Sequence, residues 1–234
     1  MISADDSDDM GTWGAARRQW LADCSVLLLA AVAGPAFPLA ARAQGTRSGE
    51  RTVLVVGDSL SAEYGLARGA GWVALLEQTI RDEKVAARVV NASISGDTTS
   101  GGRARLAPLL AEHKPAVVVV ELGGNDALRG LPVEQTRGNL AAMAQAAKAA
   151  GARVVLVGMQ LPPNYGRAYG ERFAAIYADV AKAEGAVLVP FLLKGVADVA
   201  DAESYFQGDR IHPLARAQPI LLGNVWPVLK PLLR

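Results

Sequence analysis

The sequence predicts an α/β domain in which helices cover both faces of a parallel β-sheet. Five short runs rich in Val, Leu and Ala alternate with longer segments of helical period, and the runs are nearly continuous in apolar residues. Strands buried on both faces have this composition, and right-handed crossovers between them give a three-layer, doubly wound fold. With 234 residues, of which 51% are hydrophobic and 20% charged, the chain can bury a full core.

The predicted strands are Thr52–Val56, Ala87–Asn91, Ala116–Leu122, Arg153–Val157 and Ala186–Pro190. The predicted helices are Trp72–Lys84, Gly102–Glu112, Val133–Ala150, Arg167–Glu184 and Leu214–Leu233. Gly151 and Gly185 follow two of these helices, where glycine commonly ends a helix. A single domain over residues 52–234, preceded by a polar linker at 44–51, accounts for the pattern.

Residues 1–43 have the composition of an export signal. Two arginines precede an apolar stretch from Val26 to Ala40, and Ala41-Arg42-Ala43 has the pattern of a cleavage site. The stretch is too short and too rich in Gly and Pro for a membrane anchor, so we expect a cleaved signal peptide and a periplasmic or secreted protein. The segment Arg17 to Leu21 resembles the twin-arginine motif, and a general secretory signal fits it equally well.

Charge and cysteine content restrict the partners further. The net charge is +1 and no basic cluster interleaves with aromatic residues, which argues against nucleic acid and favours small molecules. Cys24 is the only cysteine and lies in the predicted signal, so the mature chain would contain neither a disulfide nor a cysteine nucleophile.

Met10 is an alternative start of the chain, because the aspartates before it do not suit the positively charged region that begins a signal peptide.

Polar residues follow the predicted strands at the carboxyl edge of the sheet, where ligand sites form in parallel sheets. Three of these segments follow strands and the fourth precedes the last helix; they are Gly57-Asp58-Ser59-Leu60, Ser95-Gly96-Asp97, Gly123-Gly124-Asn125-Asp126 and Asp209-Arg210-Ile211-His212-Pro213.

Ser59 is the candidate nucleophile, although an isolated Gly-Asp-Ser is more often a helix cap. A serine nucleophile needs a base, and the chain contains two histidines. His113 falls in a charged turn at the amino edge, where we expect an ordinary surface residue. His212 lies three residues after Asp209, a spacing that lets the carboxylate orient one ring nitrogen while the other faces Ser59. The Gly96 N–H and the Asn125 amide are candidate donors to an oxyanion.

Other enzyme classes lack their required residues. The sequence has no dinucleotide-binding glycine motif, no Walker motif, no zinc-protease H-E-x-x-H and no G-x-S-x-G elbow. A two-metal phosphoesterase would usually draw several ligands from histidine, and two histidines are too few. The ordered set of four segments therefore favours acyl transfer by a serine.

These segments resemble the four sequence blocks of the SGNH, or GDSL, hydrolase family, from about Arg51 to the C-terminus. Three longer stretches are similar to its bacterial acyl-CoA thioesterase, lysophospholipase and arylesterase branch: Asn91 to Asp97, Glu121 to Asp126 and Leu161 to Gly166. The resemblance implies a flavodoxin-like α/β/α fold with five parallel strands in the order 2-1-3-4-5.

The same resemblance implies the roles of the site residues. Ser59, Asp209 and His212 would form the catalytic triad, and the oxyanion hole would consist of the Ser59 and Gly96 N–H groups with the Asn125 side chain. It also implies a monomer that needs no cofactor or metal and acts on small-molecule esters and thioesters. Glu63 departs from the branch, which usually has a small residue there, so its effect on specificity is open. Residues 160–170 correspond to a mobile acyl-site loop or to an ordinary strand-to-helix connection.

We therefore expect a carboxylic ester hydrolase that forms an acyl-enzyme with apolar acyl chains. Arylesters, thioesters and lysophospholipids are all candidate substrates. Two alternatives remain: an acetylesterase acting on carbohydrate or peptidoglycan, and an inactive exported module that binds a ligand.

Overall fold

A computed structural model describes residues 49–234, which form one compact unit. Its five strands form one parallel sheet in the order β2-β1-β3-β4-β5. They are β1 (Arg51–Gly57), β2 (Ala87–Asn91), β3 (Val117–Glu121), β4 (Arg153–Val157) and β5 (Val187–Val189). The predicted strand order and fold class are thus confirmed. The predicted signal peptide, its cleavage site, Cys24 and the alternative start lie outside the described residues.

Within residues 49–234, six α-helices connect and cover the strands. They are α1 (Trp72–Asp82), α2 (Thr99–His113), α3 (Gly124–Leu128), α4 (Val133–Ala149), α5 (Arg167–Glu184) and α6 (Gln218–Leu229). Helices α1 and α6 pack against each other, while α4 packs against both α2 and α5. These contacts place the helices in two layers, one on each face of the sheet.

Local sequence explains most of these boundaries. The valines of β3 are all buried, as expected for a central strand covered on both faces. Thr98 caps α2 by accepting a hydrogen bond from the Gly101 N–H at 3.3 Å. Helix α5 ends at Glu184 and is followed by Gly185, whose left-handed conformation (φ 64°) suits glycine.

The largest differences from the sequence prediction are the short helix α3 and the division of the last predicted helix. The short helix α3 was not among the predicted helices, because the Gly-Gly-Asn-Asp residues at its start are typical of turns. The single predicted helix Leu214–Leu233 is divided into a 3₁₀ turn at Ala215–Ala217, helix α6 and a 3₁₀ turn at Lys230–Leu233. Helix α6 contains Pro219 and Pro227, and the last 3₁₀ turn contains Pro231; proline lacks the N–H that a continuous helix needs.

The core lies between the sheet and the two helical layers. Its largest fully buried side chains include Trp72 at the start of α1 and Phe173 and Tyr177 on α5. Pairing of Gly57 with Glu121 aligns the carboxyl ends of β1 and β3. The segments that follow these two strands are therefore neighbours, and they carry Ser59 and Asn125. None of the helices in residues 49–234 is long and apolar enough to cross a bilayer.

Candidate active site

Ser59 lies in a tight turn directly after β1. The Asp58 carbonyl accepts hydrogen bonds from the N–H groups of Ser61 (3.2 Å) and Ala62 (2.9 Å), and the Asp58 carboxylate accepts one from the Leu60 N–H (3.0 Å). Gly57 has no room for a side chain, since an added Cβ would lie 2.7 Å from the Ser61 hydroxyl. The turn thus presents the Ser59 hydroxyl at the carboxyl edge of the sheet.

His212 and Asp209 come from a tight loop before α6. An antiparallel bridge between Phe206 and Pro213 closes this loop, and the Gln207 N–H donates to the His212 carbonyl at 2.8 Å. Asp209 and His212 are three residues apart in the sequence, and the closed loop turns their side chains toward each other.

The structure brings Ser59, His212 and Asp209 into one hydrogen-bonded chain. The distance from Ser59 Oγ to His212 Nε2 is 2.8 Å, and that from His212 Nδ1 to Asp209 Oδ2 is 2.6 Å. An ionised Asp209 can only accept, so Nδ1 carries the proton and Nε2 offers its lone pair to the serine hydroxyl. This is the geometry of a nucleophile, a base and a group that orients the base.

Asp209 remains ionised at neutral pH. Partial desolvation raises its pKa, but hydrogen bonds from the His212 ring and from the backbone N–H groups of His212 and Ile211 outweigh it, and the pKa of Asp209 falls to about 2. The two N–H groups donate to Asp209 Oδ1 at 3.0 and 2.9 Å. The carboxylate is therefore fixed in position as well as charged.

The three predicted oxyanion donors come from three adjacent segments. In the part of the chain that the structure describes, the backbone N–H groups of Ser59 and Gly96 donate to no other protein group. Gly96 has a left-handed backbone (φ 79°), which suits glycine, and its carbonyl accepts a hydrogen bond from Arg129 Nη2 at 2.8 Å. Asn125 lies in the first turn of α3, and its Nδ2 donates to Asp58 Oδ2 at 3.0 Å.

The bond to Asp58 determines which end of the Asn125 amide faces the site. A carboxylate accepts hydrogen bonds, so the amide nitrogen lies toward Asp58 and its second hydrogen is available for another acceptor. Asp58 belongs to the Gly57-Asp58-Ser59-Leu60 motif, but no role was predicted for it. Its contact with Asn125 depends on the pairing of β1 with β3, which no local pattern reveals.

A second buried carboxyl group lies behind Asp58. Glu121, the last residue of β3, accepts a hydrogen bond from the Ser61 hydroxyl at 2.7 Å. Burial, together with the negative charge of Asp58, raises the pKa of Glu121 well above its ordinary value. Burial likewise raises the pKa of Asp58 to about 6, against the opposing effects of the Leu60 N–H, His212 and Asn125. Glu121 was not predicted as a site residue. The sequence signal that could have indicated it is a charged residue at the end of a strand of four valines.

Two further contacts fix the segments that carry Gly96 and Asn125. Asp97, next to Gly96, forms a 2.8 Å ion pair with Arg105, which also donates to the Gly57 carbonyl at 3.3 Å. Asp126, next to Asn125, accepts from the Thr99 N–H at 2.9 Å. These bonds tie the ends of β1, β2 and β3 to the start of α2.

The carboxylate of Glu63 binds the loop that leads to α1. It accepts hydrogen bonds from the N–H groups of Gly69 (3.0 Å) and Gly71 (2.8 Å). Glu63 itself has a left-handed backbone (φ 60°), a conformation that glycine adopts more readily. The residue that departs from the branch pattern thus closes a loop, and its charge is directed at backbone donors.

The other predicted positions lie away from these contacts. His113 is at the last turn of α2, where its ring is 3.8 Å from Glu112, and its side chain is 19% exposed. It is therefore more covered than the expected surface residue. Residues 160–170 contain a 3₁₀ turn at Pro163–Tyr165 followed by α5. Within residues 49–234, no group of three His, Cys, Asp or Glu side chains could hold a metal ion.

Comparison with known proteins identifies the family of this chain. Residues 55–218 match the GDSL-like Lipase/Acylhydrolase family. Esterase TesA of Pseudomonas aeruginosa is 59% identical over 183 residues, which cover 78% of this chain and 90% of the relative. Thioesterase 1/protease 1/lysophospholipase L1 of Escherichia coli K12 is 45% identical over 181 residues, or 77% of this chain and 84% of the relative.

Two further comparisons extend the similarity. An arylesterase of Vibrio mimicus is 39% identical over 183 residues, which cover 78% of this chain and 88% of the relative. The crystal structure of TesA superposes with a TM-score of 0.75 over 78% of this chain and 100% of that chain. The chain belongs to the GDSL-like lipase/acylhydrolase family. It is a serine ester hydrolase.

Proposed function

We propose that Ser59 is the nucleophile of this hydrolase, His212 its general base and Asp209 the group that orients and stabilises the base. The observation that carries the proposal is the continuous hydrogen-bonded chain from Ser59 Oγ through His212 to Asp209. Ser59 and His212 are 153 residues apart in sequence. Their contact is therefore a product of the fold and not of local chain geometry.

The proposed reaction proceeds in two halves. Ser59 Oγ forms a bond to the acyl carbon while its proton moves to His212 Nε2, and the carbonyl electron pair moves to the oxygen. The oxyanion then re-forms the carbonyl, the bond to the leaving oxygen or sulfur breaks, and that atom takes the proton from Nε2. Water repeats the same steps on the acyl-enzyme and releases the acid.

The Ser59 and Gly96 N–H groups and the Asn125 amide are proposed to receive the oxyanion. The two N–H groups have no other protein acceptor within residues 49–234, and the amide is turned by its bond to Asp58. Donors that are held in place before the reaction need no reorganisation as the charge forms, which makes them effective in catalysis.

We further propose that the substrates are small esters and thioesters with apolar acyl chains. Four exposed apolar side chains lie within five residues of a proposed site residue along the chain; these are Tyr64, Ile94, Leu128 and Ile211. An apolar surface around a hydrolytic site favours apolar substrates. The names of the relatives, which include a thioesterase, a lysophospholipase and an arylesterase, agree with this class.

A panel of nitrophenyl esters from acetate to decanoate, together with a long-chain acyl-CoA, tests the substrate proposal. We expect kcat/KM to rise from acetate to the longer chains and the acyl-CoA to be hydrolysed, with Ser59→Ala as the inactive control. Activity confined to acetate would instead identify an acetylesterase. A Ser59→Ala variant with full activity would disprove the proposed nucleophile.

We also propose that the protein is exported, that residues 1–43 are removed, and that the mature enzyme is a monomer. The proposal of export and cleavage rests on the composition of the N-terminal sequence, and the proposal of a monomer rests on the resemblance to the hydrolase branch. Terminal sequencing of the exported protein should find Gln44 at or near its start, and light scattering should give the mass of one chain. Recovery of an uncleaved chain in the membrane fraction would contradict it.

A further inference from the structure

The ring of Tyr64 lies against the His212 imidazole. The two ring centroids are 4.3 Å apart and the ring planes are inclined by 37°. Tyr64 is 50% exposed, so about half of its surface faces solvent. A large aromatic side chain held at the surface in contact with the proposed base is not required by the hydrophobic core.

The contact lies apart from the two nitrogens of the imidazole. Both ring nitrogens are already hydrogen-bonded in the ring plane, Nδ1 to Asp209 and Nε2 to Ser59. A contact with a ring face does not compete with these two hydrogen bonds. The phenol ring of Tyr64 occupies that position and opposes rotation of the imidazole away from Ser59.

Backbone contacts hold Tyr64 in place on this face. Gln207 Nε2 donates to the Tyr64 carbonyl at 2.9 Å, and the Gln207 N–H donates to the His212 carbonyl. Gly65 permits this approach, since a Cβ at that position would lie 2.1 Å from the Gln207 side-chain oxygen. One glutamine thus connects the segment that carries Ser59 with the loop that carries His212.

We propose that Tyr64 is a positioning residue that keeps the imidazole directed at Ser59. It also stabilises the imidazolium formed during acyl transfer. This proposal rests on the proposed function. The face of a tyrosine ring carries negative electrostatic potential and attracts a cation within about 6 Å of its centroid. When Nε2 takes the serine proton, the positive charge is shared over the ring that Tyr64 contacts.

Two charged groups also interact with this imidazole. Asp209 binds Nδ1 from the same loop, and Asp58 acts from the end of β1. Neighbouring Arg210 directs its guanidinium to Glu203 at 3.6 Å. Both carboxyl groups remain in place when Tyr64 is replaced, so a change in the histidine's behaviour reports on the aromatic ring.

The experiment compares Tyr64→Leu, Tyr64→Phe and Tyr64→Trp with the wild-type enzyme. Histidine titration is followed by NMR, where His113 serves as an internal control because the chain has only two histidines. We expect Tyr64→Leu to lower kcat about fivefold to tenfold and to move the His212 titration midpoint down by about 0.5 pH unit. The midpoint falls because the protonated ring loses its stabilising face.

The acid limb of the kcat/KM profile should move to lower pH together with the NMR midpoint. Tyr64→Phe keeps the ring face and should recover most of the lost kcat, and Tyr64→Trp should raise the midpoint relative to Tyr64→Leu. Melting curves check that each variant is folded, and the Trp variant serves as the test if the Leu variant is not.

Two results would overturn the proposal. One is a Tyr64→Leu enzyme with kcat and His212 midpoint unchanged. The other is an equal loss of kcat in Tyr64→Leu and Tyr64→Phe with no movement of the midpoint, since that would implicate the hydroxyl and not the ring. Failure of the proposed function is detected separately, by an active Ser59→Ala variant.

Discussion

At the scale of single residues, the members of the proposed triad have two kinds of role. Two of them exchange a proton, and the third orients the base. Ser59 and His212 exchange a proton in the proposed reaction, whereas Asp209 has a pKa of about 2 and remains charged throughout. The types and spacing of these residues were readable from the sequence because the chain contains two histidines, and only one follows an aspartate at short range.

This division predicts an order of severity among alanine variants. His212→Ala should lower kcat nearly as much as Ser59→Ala, by about 10⁴-fold to 10⁶-fold, and Asp209→Ala should leave about tenfold to hundredfold more residual activity. Steady-state kinetics on a nitrophenyl ester provides the comparison. A His212→Ala enzyme close to wild type would remove the base from the account.

Asn125 is expected to act only when the carbonyl oxygen gains charge. Asn125→Ala should therefore lower kcat about 10²-fold to 10³-fold with little change in KM. Asn125→Asp should be at least as harmful, because it places a second carboxyl group beside Asp58 and removes the donor. If both variants melt at lower temperature while the folded enzyme keeps its kcat, Asn125 is a structural residue.

At the scale of elements, the strands were predicted almost residue for residue and the loops were not. The boundaries predicted for β2, β4 and α5 agree with the structure, because these segments have a clear period and end in Gly or polar residues. The Glu63 loop and the Tyr64 contact could not be predicted, since turn side chains are directed by distant partners. Gln207, for example, reaches Tyr64 from 143 positions away.

The loop between β1 and α1 should depend on the Glu63 carboxylate. Removing it leaves the N–H groups of Gly69 and Gly71 without their acceptor, so Glu63→Ala should lower the free energy of unfolding by about 1–2 kcal/mol. Glu63→Gln keeps one acceptor oxygen and should lose less. Urea denaturation measures both.

Glu77→Gln is the control for the two Glu63 variants. It removes an exposed carboxylate of α1 that pairs with Arg81 at 2.8 Å, and exposed pairs of this kind contribute less than about 1 kcal/mol. If Glu63→Ala is no more destabilising than the control, the carboxylate does not hold the loop.

At the scale of the whole molecule, the parallel sheet explains why distant segments form one site. The ends of β1 and β3 are adjacent, and the sheet brings their polar residues to a single edge. The same arrangement buries Asp58 and Glu121 side by side. The alternation of strands and helices predicted the fold, but burial of this carboxyl pair follows from tertiary packing alone.

The buried carboxyl pair should make stability depend on pH. The pKa of Asp58 is raised from 3.8 to about 6, so the folded protein takes up a proton at a pH where the unfolded chain does not. Asp58 should therefore add stability as pH falls from about 7 to about 4, on the order of 2 kcal/mol. Asp209 acts in the opposite direction and only below about pH 4, because its pKa is lowered to about 2.

Urea denaturation of the wild type and Asp58→Asn between pH 8 and pH 5 tests this dependence. The variant cannot take up the Asp58 proton, so the wild type should gain stability relative to it as pH falls. Glu121 is retained in both proteins, but the charge of Asp58 raises the pKa of Glu121, so the comparison reports on the titration of the carboxyl pair. Parallel stability curves would show that replacing Asp58 changes no titration in this range.

The most direct test of the central claim is covalent labelling of the nucleophile. A fluorophosphonate reacts with a serine only when a neighbouring base activates its hydroxyl. Mass spectrometry of the labelled protein should place the adduct on the peptide that contains Ser59, with loss of labelling and of esterase activity in Ser59→Ala and with little labelling in His212→Ala. Labelling of another serine, or full esterase activity without modification of Ser59, would contradict the proposed catalytic site.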